Sequence, residues 1–428
     1  MLSTSKCLPK WLVYFSLLAI IIHIPATGVC QNTKGLFKLI SSGYIDPVSL
    51  NITDTIPIEI DKDWIVLKIK VDDKLQKFIW DTGTAYSTIN SVGSSTQKAE
   101  IDHVDFTDAV GVKSALPLYN VSKLSIGNTV FHDITFMLLD TRTVAGGILS
   151  DFSGAIGLDI IDKINWNFNF DKNFVVISSN SFEIKGGKLV RYANYISYDA
   201  IGVNIDLPSG KSFRPLALID FGLPGSSLYL SKEYLNKLQG LKAERNYGSG
   251  GVGISGIGGN QTTYTIVDSL NCSYGPSGKN INIKSKIMIG SENKRTVIGN
   301  KFFRQYNFAR NSTQSSFIFY PRVSSLDSSG TLSKTYGISF NIHPDSGLYV
   351  MSMTDNPNFK NKIVRIHDLV EKIGDKEVRD FKDLFAIRDY LSKSSAQNKA
   401  LRILMKNGAT YTLYPLPNDV TAITGSEF

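Results

Sequence analysis

Cysteine is scarce: Cys7, Cys30 and Cys272 are the three in a chain of 428 residues. So few thiols exclude a disulfide framework and leave stability to apolar burial. Low-complexity segments and long charge runs are also missing, which excludes a large disordered region. The uncharged stretch from Trp11 to Ile24 has 14 residues, short of the roughly 20 that a helix needs to cross a bilayer, and nothing later resembles a second span. The five histidines, His23, His103, His132, His343 and His367, show no metal-ligand spacing. No metal and no organic cofactor is expected. Ser226 and Ser227 lack a surrounding Gly-x-Ser-x-Gly elbow, and Cys272 has no identifiable base beside it. The formal charge of +8 comes from scattered basic residues with no stripe interleaved with aromatics, so no nucleic-acid partner is expected.

What is present begins at the N-terminus. Lys6 and Lys10 precede the apolar stretch, and Pro25, Ala26, Thr27 and Gly28 follow it, the order of a signal peptide over residues 1–30. Export is therefore expected, with the periplasm as the first compartment and an outer-membrane lipoprotein, anchored through Cys30, or an extracellular protein as alternatives. Membrane contact is expected only through the signal or that anchor. The remaining length suggests two to four folding units.

From Trp64 to Tyr320 the texture is β: short β-branched and aromatic runs separated by Gly, Asn and Asp. A short helix is predicted from Ser231 to Leu238. The informative feature is a duplication. The run Lys77-Phe78-Ile79-Trp80 enters Asp81-Thr82-Gly83, and Leu216-Ala217-Leu218-Ile219 enters Asp220-Phe221-Gly222. Each half then has two apolar residues and a glycine: Ala155-Ile156-Gly157, 76 residues after Asp81 by its glycine, and Val297-Ile298-Gly299, 79 after Asp220. Both close on aromatic strands, Asn165 to Asp171 with Val175 to Ile177, and Tyr306 to Phe308 with Phe317 to Tyr320.

In these residues the chain resembles the two-lobed aspartic peptidases, retropepsin-like or pepsin-like, over roughly Leu36 to Arg322. The resemblance implies a mainly β, bilobal double β-barrel. Its lobes would be residues 31–185 and 186–322, with Asp81 and Asp220 as the catalytic pair and Gly157 and Gly299 packed beneath the catalytic loops. Two adjacent carboxyls sharing one proton can activate a water as base while protonating the peptide carbonyl as acid. Thr82, Gly83 and Thr84 would support the first carboxyl, Thr84 by bonding an outer oxygen, and Phe221 and Gly222 flank the second. In the family the two triplet threonines also bond across the lobe boundary. Thr82 supplies its half, Phe221 cannot, and Leu223 replaces the usual small or hydroxyl residue. Flaps are expected at Thr107 to Lys113 around Gly111 and in the glycine-rich stretch containing Gly251 and Gly253.

After a linker at 323–333, residues 334–418 resemble a PDZ domain of the kind attached to exported bacterial aspartyl proteases. Tyr336-Gly337-Ile338-Ser339-Phe340 matches the loop and strand that receive a peptide C-terminus, and Asp368 to Val378 matches a characteristic turn in which Asp375 replaces a glycine. A helix is predicted from about Asp380 to Ser392. The expected function is an exported endopeptidase acting on protein or peptide substrates, with a C-terminal peptide as a second ligand. The alternative is a catalytically inactive peptide-binding protein of the cell envelope.

Overall fold

The computed structural model describes residues 43–46, 53–90, 102–107, 113–140, 149–195, 198–224, 228–249, 260–274, 281–323, 335–343, 346–360 and 364–423. The expected signal, Cys30, most of the linker, and the flap glycines Gly111, Gly251 and Gly253 lie outside them. Among the described residues no helix is long and apolar enough to cross a membrane.

Strands dominate, and their burial follows side-chain alternation. In Trp64–Val71, Ile69 and Val71 are buried while Lys68 and Lys70 face out. Two-residue turns at Lys62-Asp63 and Asp72-Asp73, all four residues at positive φ, bend the chain into consecutive hairpins. Among the described residues the strands assemble into two 14-stranded sheets and one of four strands.

The barrel expected for each half does not form, because neither large sheet closes. The first runs as an open path from Lys188–Arg191 to Asp102–Thr107, and the second from Ile281–Ser285 to Ile338–His343. A two-residue pairing of Lys70 and Val71 with Ser125 and Leu124 curls the first sheet without removing its ends. The physical reason is that strands needed for closure pair outward. Asn165–Asn169 pairs with Asn307–Asn311, setting Trp166 opposite Arg310 and Phe168 opposite Phe308, so the first sheet crosses into the second half. The second sheet continues into the C-terminal segment, where Gly347–Thr354 pairs with Lys242–Ser249.

Between the halves lies an aromatic core of Trp80, Trp166, Phe168, Phe221, Phe303 and Phe308, all fully buried. Arg310, also fully buried, bonds Asp199 through Nε at 3.1 Å and Nη2 at 2.8 Å, and also reaches Asp162. Such a pair is tolerable inside because the two charges face each other directly, although Asp199 Oδ1 has no hydrogen-bond partner among the described residues. A second core joins Trp64, Val66, Ile79 and Phe152 to Phe340, Leu348, Leu384 and Ile403 of the C-terminal segment.

The two predicted helices differ from expectation in detail. Lys232–Leu238 is a 3-10 helix with Leu235 and Leu238 buried. The C-terminal helix spans Leu384–Ala396, later than predicted, because the Asp383 carboxylate caps it by accepting from Ala386 N at 2.8 Å. Asp380 belongs instead to a preceding 3-10 turn, Val378–Asp380.

Candidate active site

Each triplet hangs from the same scaffold. Lys74–Trp80 runs parallel to Gly154–Ile156, and Leu216–Asp220 runs parallel to Val297–Gly299. The short central strand is flanked on its other side by the strand following the triplet, Thr88–Asn90 in one half and Leu228–Leu230 in the other. One-turn helices Leu158–Ile161 and Asn300–Phe303 start directly after Gly157 and Gly299. Even the tie back to the loop repeats: Leu158 N donates to Thr84 O at 3.0 Å, and Asn300 N to Leu223 O at 3.3 Å. Gly157 is required where it stands, since a Cβ there would come within 2.6 Å of the Tyr86 backbone.

This scaffold brings Asp81 and Asp220 together. Their carboxyls hydrogen-bond one another, and both remain partly exposed. Each carboxyl abuts the glycine of the opposite triplet, so a side chain at Gly83 would collide with Asp220 and one at Gly222 with Asp81. Backbone N–H groups complete the cradle: Gly83 N donates to Asp81 Oδ1 at 2.7 Å, Gly222 N also reaches Asp81, and Gly222 N and Leu223 N serve Asp220.

Loss of hydration at the pair pushes the Asp81 carboxyl up to about 6, against the opposing pull of the Gly83 and Gly222 amides. The same desolvation, joined by the negative charge of Asp81, raises Asp220 well above the carboxylate range.

The supports differ from expectation at Thr84. Its hydroxyl has one proton, which it donates to Tyr86 O at 2.8 Å, so that proton does not serve Asp81. Thr82 makes its half of the cross-boundary lock: Oγ1, fully buried, donates to Ile219 O at 2.8 Å and accepts from Phe221 N at 3.3 Å. Phe221, at the matching position of the second triplet, has no hydroxyl to return that bond, and its ring is fully buried. It packs edge-on to Trp80 with centroids 4.8 Å apart and stacks on Phe303 at 5.0 Å.

Three further residues support the site without any local signature. Trp64 Nε1 donates to Gly222 O at 2.8 Å while its ring meets Phe152 and, from the C-terminal helix, Phe385. Ser87 donates from N at 3.0 Å and Oγ at 2.7 Å to Asp159 Oδ1, and accepts from Gly157 N at 2.9 Å. Burial pushes the Asp159 carboxyl up to about 6, despite those Ser87 donors.

Both stretches where flaps are expected sit between antiparallel arms. Thr107 pairs with Lys113, and Ser249 with Asn260, leaving the tips at 108–112 and 250–259 outside the described residues. Lys242–Ser249 is also paired along its outer edge, by Gly347–Thr354 and by Val420–Ala422. In the C-terminal module Ile338–His343 ends the second sheet's path. Tyr336 and Phe340 are buried, Gly337 has φ +70°, and Ile338 and Ser339 are half-exposed. Gly374 holds the left-handed position in the turn where Asp375 stands, and Asp375 accepts from the Tyr390 hydroxyl at 2.7 Å. Cys272 is buried, its thiol pushed up to about 12 by desolvation first and the charge of Asp206 second.

No family model matches the chain, and no curated protein matches it.

Proposed function

We propose that this chain is an aspartic-type endopeptidase in which Asp81 and Asp220 activate a water against a peptide carbonyl. The observation that carries the reading is the pair itself: two partly exposed carboxyls in mutual hydrogen-bond contact, each braced by the opposite triplet's glycine. Two like charges so close cannot both ionise readily, so over a range of pH the pair holds one proton. The ionised member takes a proton from the attacking water while the protonated member delivers one to the carbonyl oxygen. The protons balance, and the returning transfer to the leaving amine restores the pair. Such titration belongs to the pair, and desolvation moves its one-proton state above the range of ordinary carboxylates.

Export, read from the first 30 residues, and a C-terminal peptide ligand beside Ile338 to Phe340 complete the proposal. The end position of Ile338–His343 in its sheet supports the second, since an edge strand can accept an added one.

A non-catalytic peptide-binding role is the second reading, favoured by Phe221 standing where the lock expects a hydroxyl. Incubating the purified chain with denatured protein from pH 4 to pH 8, beside Asp81→Asn and Asp220→Asn, separates the two. Cleavage that disappears in both variants supports the enzyme, whereas binding without cleavage in the unmodified chain supports the alternative.

A further inference from the structure

The strand carrying Asp220 has two unlike faces. Ala217 and Ile219 are fully buried, whereas Leu216, Leu218 and Asp220 share the opposite, accessible face, Leu216 being 49% exposed. Same-face residues on a strand lie roughly 7 Å apart, so Leu218 is one side-chain step from the Asp220 carboxyl. A pocket of about 330 Å3 opens on this face, with Leu216, Leu218 and Tyr198 among its walls. Tyr198 belongs there by register: its strand runs antiparallel to Leu216–Asp220 with Ala200 opposite Leu218, which carries Tyr198 toward the Asp220 end.

The rim is cationic. Lys294 and Arg295 line the pocket from the turn ahead of Val297–Gly299, and Arg295 hydrogen-bonds the Tyr198 phenol. Neither has a carboxylate partner among the described residues. The opposing charge, Glu233, is engaged by the hydroxyl of Tyr234, while the neighbouring Lys232 is held by Glu292 at 3.3 Å. An apolar floor of two leucines below two cations, opposed by the single carboxylate of Glu233, suits a side chain with a methylene stem and a terminal carboxylate.

Resting on the peptidase reading, we propose that this pocket is a substrate subsite selecting glutamate, and less strongly aspartate, within two residues of the scissile bond on one side. An extended substrate lying along the Leu216–Asp220 strand repeats its same-face side chains at the strand spacing, and in that alignment one of them falls over Leu218. Its carboxylate then meets Lys294 and Arg295 at the solvent boundary, where an ion pair is worth at most a few-fold.

The test profiles cleavage sites in a peptide library, then compares matched Glu and Gln peptides with the unmodified chain and the Lys294→Glu/Arg295→Glu double variant. Binding of the same labelled peptides to Asp81→Asn is followed by fluorescence anisotropy. The expected result is a kcat/KM ratio of Glu over Gln of about fivefold that inverts in the double variant, and rises about twofold in Glu233→Gln. Cleavage with no preference between Glu and Gln overturns the subsite and leaves hydrolysis standing. Selective binding of the Glu peptide without cleavage overturns hydrolysis and supports the subsite. Failure of both cleavage and selective binding overturns both.

Discussion

The two triplet turns have the same backbone framework and are held by different physics. Around Asp81 the turn is fastened by hydrogen bonds: Thr82 to Ile219 O and from Phe221 N, and Ser87 linking Asp159 to Gly157. Around Asp220 the corresponding side chain is Phe221, fully buried between Trp80, Phe303 and Phe308. A hydroxyl fixes one atom through a directional bond, whereas a phenyl ring fixes a turn by filling a shaped space. Packing can therefore replace one arm of a polar lock, provided that the surrounding shell is aromatic enough to grip it.

That comparison can be broken most forcefully at the carboxyls. Asp81→Asn and Asp220→Asn should each lower the turnover of a peptide substrate by about 10^3-fold, the scale of a lost acid or base. A variant retaining activity near that of the parent would show that the two turns are not chemical partners. Next comes the packing arm. Phe221→Ala empties an enclosed aromatic site and should cost about 3–4 kcal/mol in urea unfolding, more than any polar change nearby.

Acidity probes the polar arm, because Asp159 has the lysine Lys301 as its counterpart in the second half. Near pH 5 the folded protein keeps Asp159 protonated, its value being about 6, while the unfolded chain, near the ordinary 3.8, has already lost that proton. The folded state thus binds more protons, and stability falls as pH rises from about 4 through 6. Asp159 should account for about 2–3 kcal/mol of that fall. Asp159→Asn should flatten the dependence correspondingly in unfolding curves taken at pH 4 and pH 7. The raised Asp81 and Asp220 slope the same way.

Thr82→Val, which strands Ile219 O and Phe221 N, should cost about 2 kcal/mol by the same unfolding measurement. The smallest effect is expected at Trp64→Phe. It keeps the ring contacts with Phe152 and Phe385 but deletes the bond to Gly222 O, for about 1 kcal/mol of stability. Since Gly222 touches Asp81, a shifted pH profile with little change in substrate KM would mark this tryptophan as a positioning residue for the pair.

Much of the site was legible because its signals are local. A strand ending in Asp, a glycine two residues later, and a distant apolar-apolar-glycine run are short patterns, and repeating them at spacings of 76 and 79 residues made them conspicuous. Trp64 was illegible as a support because its partner is 158 residues away and reads only as a carbonyl. Thr84 misled for the converse reason: adjacency suggested a bond to Asp81, but a carbonyl two residues on competes better for one proton. The pocket beside Asp220 combines strands and a turn separated by nearly a hundred residues, and no periodicity announces it.

Alternation and turn chemistry in the sequence alone determined that strands would form, where the paired aspartates would end them, and which positions had to be glycine. Those properties depend on the backbone and on nearest neighbours along the chain. Which strands pair outward instead of closing a barrel, and how Phe221 substitutes for a hydroxyl, were decided only in three dimensions. Hydrogen bonding between sheet edges and the filling of a shared core are satisfied by whatever the fold brings alongside, and chain order does not encode that neighbour directly.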